Sequence, residues 1–180
     1  MKDKLPLSLS PEEALKIATD AYIYGYPLVL MDVTREVMTA VPKPGARKAP
    51  VNQFVHLREF PDHAFTDVVS PNVDTLYSVA WLDLSKGPIV LSLPDAGDRY
   101  YLMPMLDGWT TVFADPGKRT TGTDAADFAS TGPDWKGTLP TGIKAAYESP
   151  TSIVWVLGRT YSSGTPADYA EVNAIQRNTS

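Results

Sequence analysis

The segment LYSVAWLDL, residues 76–84, constrains this chain more than any other. It is rich in β-forming residues and almost continuously apolar, the pattern of a strand covered on both faces. Immediately before it stands Ser70-Pro71-Asn72-Val73-Asp74-Thr75. Proline fixes the chain direction, and Asn and Asp side chains bond to nearby backbone, so this is a turn that feeds the strand. Further turn formers follow at Lys86-Gly87-Pro88, at residues 94–98 and at Asp107-Gly108. They separate strands expected at Ile89–Leu93, Arg99–Met105 and Trp109–Ala114, with a last strand at Ser152–Leu157. Gaps of two to five residues predict antiparallel hairpins between successive strands. The 16 Pro and 12 Gly in 180 residues fit such a turn-rich β architecture, and the length suffices for one core.

Helices frame this region. Ser10-Pro11-Glu12-Glu13 is a helix start with a capping box, and Leu15, Ala18 and Tyr22 recur on one face behind it. Gly25-Tyr26-Pro27 predicts a break, because Pro27 has no N–H to donate. A second helix is expected over Pro27–Ala40, with Leu30, Val33 and Val37 buried and Asp32 paired with Arg35. A basic connector spans Pro42–Pro50. A short helix is expected over Asp124–Phe128, capped by Thr123, and a terminal helix from Thr165 towards Gln176. The fold class is therefore α+β: a helical segment broken at Gly25–Pro27, then a mainly antiparallel β domain, sandwich- or barrel-like, and a short C-terminal helix. The division is an arm over 1–9 and one domain over 10–180, helical over 10–41 and β-rich over 51–164.

Absent residue types exclude several chemistries. Without Cys there is no disulfide, thiolate nucleophile or cysteine metal site. The formal charge of −5 disfavours nucleic acid, which needs clustered cations. The start MKDKLPLSLSPEEA lacks an export signal, and no apolar run spans a bilayer. The expected location is cytoplasmic, or periplasmic if a signal was removed. No motif implies a cofactor.

Four constellations can carry chemistry. In the turn before the strand, Asn72 both donates and accepts, Asp74 supplies a carboxylate and Tyr77 a hydroxyl; the same residues also serve simply to build the turn. In the second, Asn52 to His56 with Glu59, Asp62, His63 and Asp67, the seven-residue histidine spacing fits no zinc pattern, so no metal is expected. His56 can act as a general base, His63 being a loop residue. The third, Asp115-Pro116-Gly117-Lys118-Arg119-Thr120-Thr121-Gly122, has the makings of an anion cradle without being a P-loop. The fourth is a set of aromatics near turns, of which Trp109 is the candidate to face a ligand and Trp155 belongs to the core. GxSxG is absent.

At AYIYGYPLVLM, VSPNVDTLYSVAWLDLSKGPIVL, DRYYLMPMLDGWTTVFA and GKRTTG the chain resembles the bacterial family catalogued as domain of unknown function 1254, from about Ala14 to Gln176. The resemblance implies a β-rich fold behind an N-terminal helical segment, and no settled activity. It also implies that relatives continue into a second β-rich domain, catalogued as domain of unknown function 1214, and that many carry export signals. Asn52, His56, Asn72, Asp74, Tyr77, Arg99, Asp107, Trp109, Arg119 and Arg159 stand at family-motif positions.

Two functional readings result. One is a ligand-binding or assembly domain, the N-terminal half of a two-domain protein, with Asn72, Arg99, Asp107, Trp109 and Arg119 as ligand-binding residues. The other is a hydrolase or lyase acting on a small or carbohydrate-like substrate through His56, Asp74 and Tyr77. The partners expected are a small-molecule or carbohydrate ligand, and either a C-terminal domain or a second copy of the chain.

Overall fold

The structure is a computed structural model that describes residues 9–66 and 69–180. The expected N-terminal arm, Leu9 apart, and Asp67 lie outside the described residues. Two sheets face one another as a sandwich, with a helix at each end of the sequence. There is no closed barrel. The first sheet joins β1 (Phe54–His56), β2 (Thr75–Asp83), β4 (Tyr101–Leu102), β5 (Met105–Leu106), β6 (Val112–Ala114) and β9 (Ile153–Tyr161). The second holds β3 (Ile89–Leu93), β7 (Ala126–Thr131) and β8 (Ile143–Glu148).

At the centre of the first sheet, β2 and β9 pair antiparallel over nine residues, Thr75 opposite Tyr161 and Asp83 opposite Ile153. Side chains alternate along a strand, so Ala80, Leu82, Val154 and Val156 face the second sheet. There they pack with Leu91, Leu93 and Phe128. Each Leu, Val or Phe among them, taken out of water, contributes about 1.5–3 kcal/mol. The opposite, outer face carries Tyr77, Val79, Trp81, Trp155 and Leu157. Trp81 and Trp155 stack at 5.2 Å between ring centroids. Trp155 thus packs on the outer face and not in the inter-sheet core.

The expected succession of hairpins is not what forms. From β2 to β6 only β5 and β6 pair as sequence neighbours; β2 and β3 part into different sheets, β3 pairing with β7 and β4 with β9. The Lys86-Gly87-Pro88 turn changes sheet instead of closing a hairpin, which lets both faces of β2 be covered. Tyr101–Leu102 and Met105–Leu106 replace one strand over Arg99–Met105: Pro104 cannot donate to a ladder, so the two pieces pair with β9 on either side of it. The strand expected over Trp109–Ala114 starts only at Val112, because Asp107 holds residues 107–111 as a loop. The helix expected at Asp124–Phe128 is part of β7. Phe128 and Ala129 there are wholly buried, and β8 lies parallel beside them. Tertiary burial overrides a capping pattern over so short a stretch.

The N-terminal helix α1 runs unbroken over Pro11–Thr39. Ser10 accepts from the Glu13 N–H at 3.2 Å and donates its own N–H to Glu13 at 2.8 Å, closing the expected capping box. Pro27 costs one backbone bond, to the carbonyl of Ile23. Ile23 is 65% exposed, so water can satisfy that carbonyl and the helix continues. Leu30, Val33 and Val37 are not buried; each is at least half exposed. The helix touches the domain through the other side, where Met31 is buried, Met38 accepts from the Trp81 indole at 3.5 Å, and Tyr24 packs on Trp109. The C-terminal helix α2 (Pro166–Arg177) buries Val172 and Gln176, and Gln176 donates to the carbonyls of Leu57 and Tyr77.

Gly158 marks the tightest point of the central ladder. A Cβ there would strike Met103 Sδ and stand 2.9 Å from the Ser78 carbonyl oxygen. Gly158→Ala is expected to lower unfolding free energy by about 1–3 kcal/mol, read from urea denaturation, with the slope unchanged.

Candidate functional site

A groove of about 1090 Å³ opens between the end of α1 and the first sheet. Val37 and Met38 of α1, Arg47 and Lys48 of the connector, and Tyr77, Val79 and Leu157 of the sheet line it, with Phe60 and Phe65 from the segment after β1. Arg47 lies over the Phe65 ring at 4.1 Å. The groove wraps around β1, the edge strand, and therefore meets residues from both faces of the first sheet.

His56 and Tyr77 border this groove from opposite faces. His56 pairs in register with Ser78, and Tyr77 is one residue out of phase with both. The His56 ring turns inwards: Nδ1 lies 2.9 Å from the Oγ of fully buried Ser78, and the ring stacks on Phe54. Burial, and secondarily the positive charge of Arg58, hold its pKa down to about 4. His56 is therefore neutral at pH 7, as a base must be, but Ser78 engages one ring nitrogen.

Asn72 stands at the rim and is occupied by the turn. Its Oδ1 accepts from the Asp74 N–H, the Thr75 N–H and the Thr75 hydroxyl at 2.8–3.1 Å. Asp74 is exposed and does not line the groove; its backbone carbonyl accepts from Ser162. No hydrogen bond joins any two of His56, Asp74 and Tyr77. Asn52, at φ 64°, accepts from the Asp83 N–H and so builds the corner beside β2.

The other candidates lie elsewhere. Arg99 sits in a second cleft, of about 890 Å³, and is saturated: it donates to the Tyr161 carbonyl, to Asp168 at 2.7 Å and to Glu171 at 2.6 Å. Its hydrogen bond holds the Asp168 carboxyl down to about 2. This cluster fastens α2 to the sandwich. Asp107 is buried and accepts from the N–H groups of Trp109 and Thr111. Trp109 packs against Tyr24 at 5.2 Å, making it a seat for α1. Arg119 is exposed, over the Tyr100 ring at 5.3 Å. The loop around it does not present a cradle: the amides of Thr120, Thr121 and Gly122 turn inwards to the Gly117 carbonyl, and Lys118 is held by Asp98 at 2.6 Å. Among the described residues no His, Asp and Glu side chains gather into a group that could hold a metal.

Two features escaped the sequence reading. Leu15, Tyr22, Tyr26, Val29, Val33 and Val37 repeat at intervals of three, four and seven residues, the spacing of one helix face. That periodicity was visible, but not that the face is left open: all six are half exposed or more, and of them only Val37, at the end of the stripe, borders the groove. The second is Arg159, whose guanidinium carbon stands 5.1 Å from the Tyr77 ring centroid. Its Nε is closed to solvent and has no hydrogen-bond partner, a state that costs about 1–3 kcal/mol when nothing offsets it.

The fold and groove define an α+β two-sheet domain with a long, largely exposed N-terminal helix. A sequence model of the family described as "Protein of unknown function (DUF1254)" matches residues 51–180, and the chain belongs to that family. Comparison with curated proteins returns no match. Among solved structures it is similar to the VPA0106 protein from Vibrio parahaemolyticus, with a TM-score of 0.69 and 25% identity over 91% of this chain. The match spans 37% of that protein, so this chain covers little more than a third of the relative's length. No described helix is long and apolar enough to cross a membrane.

The His56 environment gives a pH signature. An unfolded chain protonates His56 near pH 6.5, whereas the folded chain does so only near 4. The unfolded state thus binds more protons across this window, and stability falls as pH drops from about 6.5 to about 4. The imidazole proton resonances are expected to titrate with a midpoint near 4, and His56→Gln to flatten the stability slope over the window. A midpoint near 6.5 would contradict the buried placement.

Proposed function

We propose that this chain is an assembly domain whose α1 presents a docking face to a second folded domain, as the N-terminal half of a two-domain protein. The outward stripe from Leu15 to Val37 carries the reading. Contiguous apolar surface of this kind is a liability on an isolated monomer and marks a protein contact. The length of the solved relative supports a folded domain as the occupant, since that protein has further chain beyond the matched 37%. Arg99 and Asn72 fit the same reading, being engaged in holding α2 and the turn.

The groove favours a second reading, a small-molecule site at the edge of the docking face, because ligand sites form preferentially where domains meet. Hydrolase or lyase chemistry through His56, Asp74 and Tyr77 is supported less. It needs His56 and Tyr77 to work from opposite faces of β1, with Asp74 outside the groove.

The docking reading is tested on the 180-residue chain with Tyr22→Lys and Val29→Lys combined, both residues lying on the outward stripe and outside the groove. The original chain is expected to be monomeric at micromolar concentration and to bind a hydrophobic dye. The double variant should lose most of that binding with a melting temperature within a few degrees of the original. Absence of dye binding in the original chain would sink the reading. A dimer that the substitutions dissociate would replace the second domain by a second copy.

A further inference from the structure

β3 is an edge strand of the second sheet: it pairs with β7 on one side and with no strand on the other. One residue occupies that outer side. Ser180 accepts from the Ser92 N–H at 2.7 Å and donates its own N–H to the Ser92 carbonyl at 3.1 Å. Two residues that exchange both bonds form the hydrogen-bonded pair of an antiparallel ladder. Burial follows the same register. Thr179, which that register sets beside the core residue Leu93, is 6% exposed, whereas Ser180, beside Ser92, is exposed. Ser180 is thus the first rung of a ladder on the edge of β3.

The next rung is already presented. Bonding groups alternate sides along a strand. Ser92 turns both of its groups outwards, so Val90 does the same, and among the described residues nothing on that side bonds to Val90. Between them Leu91 lies in the core, and Ile89 beyond is only partly buried against it. An edge with free bonding groups and an unfinished apolar margin is a template for a further strand.

We propose that the outer edge of β3 is a strand-acceptor site, filled by the segment that continues from Ser180 into the second domain. This rests on the reading of the chain as the N-terminal half of a two-domain protein. Running antiparallel, the segment passes Leu91 with its first residue, bonds to Val90 with its second and covers Ile89 with its third. Its first and third residues face the core and are expected to be apolar. A continuation is favoured over a separate peptide because the rung at Ser180 already fixes its start and its register, which raises its effective concentration at the edge. Pro88 has no N–H to offer, so the ladder closes there. The strand leads the chain towards the Lys86–Pro88 turn, just past the end of β2. There the Asp83 carboxyl pKa is lowered by the Ser85 hydrogen bonds and, more weakly, by the charges of Lys86 and of Arg35 on α1. The connection therefore heads for the end of the sandwich where the last turns of α1 lie.

The test follows the Val90 amide by hydrogen exchange in the 180-residue chain and in two chains lengthened after Ser180 by a tail of about four residues. One tail alternates valine and threonine with valine first, which sets valine towards the core; the other starts with threonine. In the 180-residue chain the Val90 amide is expected to exchange much faster than that of Leu91, which faces β7. The valine-first tail should slow Val90 by at least about tenfold, and the threonine-first tail should slow it less. No slowing by the valine-first tail overturns the proposal, as does loss of the fold in that chain, because a native edge accepts its strand without disruption. Equal slowing by both tails overturns the register. Val90 as protected as Leu91 in the 180-residue chain also overturns it: in a monomer the edge is closed, and in a dimer it belongs to a second copy. Dye binding to α1 reads a separate surface. Dye binding without Val90 slowing sinks the strand alone, and Val90 slowing without dye binding sinks the α1 docking face alone.

Discussion

The nine-residue ladder between β2 and β9 holds the molecule together. It joins strands about seventy residues apart in sequence, so its loop-closure cost is large and must be met by burial on both faces. Inwards it supplies Ala80, Leu82, Val154 and Val156 to the inter-sheet core; outwards it supplies the Trp81–Trp155 stack on which the end of α1 rests. The other strands of the first sheet build out from these two: β1 pairs with β2, β4 and β5 pair with β9, and β6 follows on β5. Gly158 is required where the ladder passes Met103 without room for a side chain.

The same ladder decides what the site can be. A register that pairs His56 with Ser78 puts the imidazole under the sheet and Tyr77 above it. A one-residue slip would exchange them, but it would also turn the apolar residues of the central strands outwards. The groove therefore holds no assembled acid–base pair: His56 and Tyr77 border it from opposite faces and Asp74 lies outside it. Arg99, which has the more conspicuous surroundings of charged residues, is committed to holding α2 through Asp168.

Much of the fold was legible because its signals are local. The capping box at Ser10–Glu13, the Asx turn at Asn72, the strand after it, and the helix following Thr165 all stand where the residues imply. What sequence did not convey was partner choice. The Lys86-Gly87-Pro88 turn looks the same whether it closes a hairpin or changes sheet. The 126–131 segment reads as a weak helix until Phe128 has a core to enter. For α1 the periodicity was correct and the direction was not. An apolar stripe implies burial, and Leu30, Val33 and Val37 were expected inside, yet the face that meets this domain is the one bearing Met31 and Met38. The unpartnered Nε of Arg159 was equally invisible, since it can be recognised only once its neighbours are in place.

A two-sheet sandwich that is stable by itself, with α1 as an arm whose apolar face is open, must show two very different rates of opening. Hydrogen exchange of the isolated chain, read residue by residue, tests it most directly. The amides of β2 and β9 are expected to exchange only through global unfolding. Those of α1 before Tyr24, where ring packing on Trp109 begins to fasten the helix, should exchange through much cheaper local opening. Protection of the first three turns of α1 equal to that of β9 would contradict it.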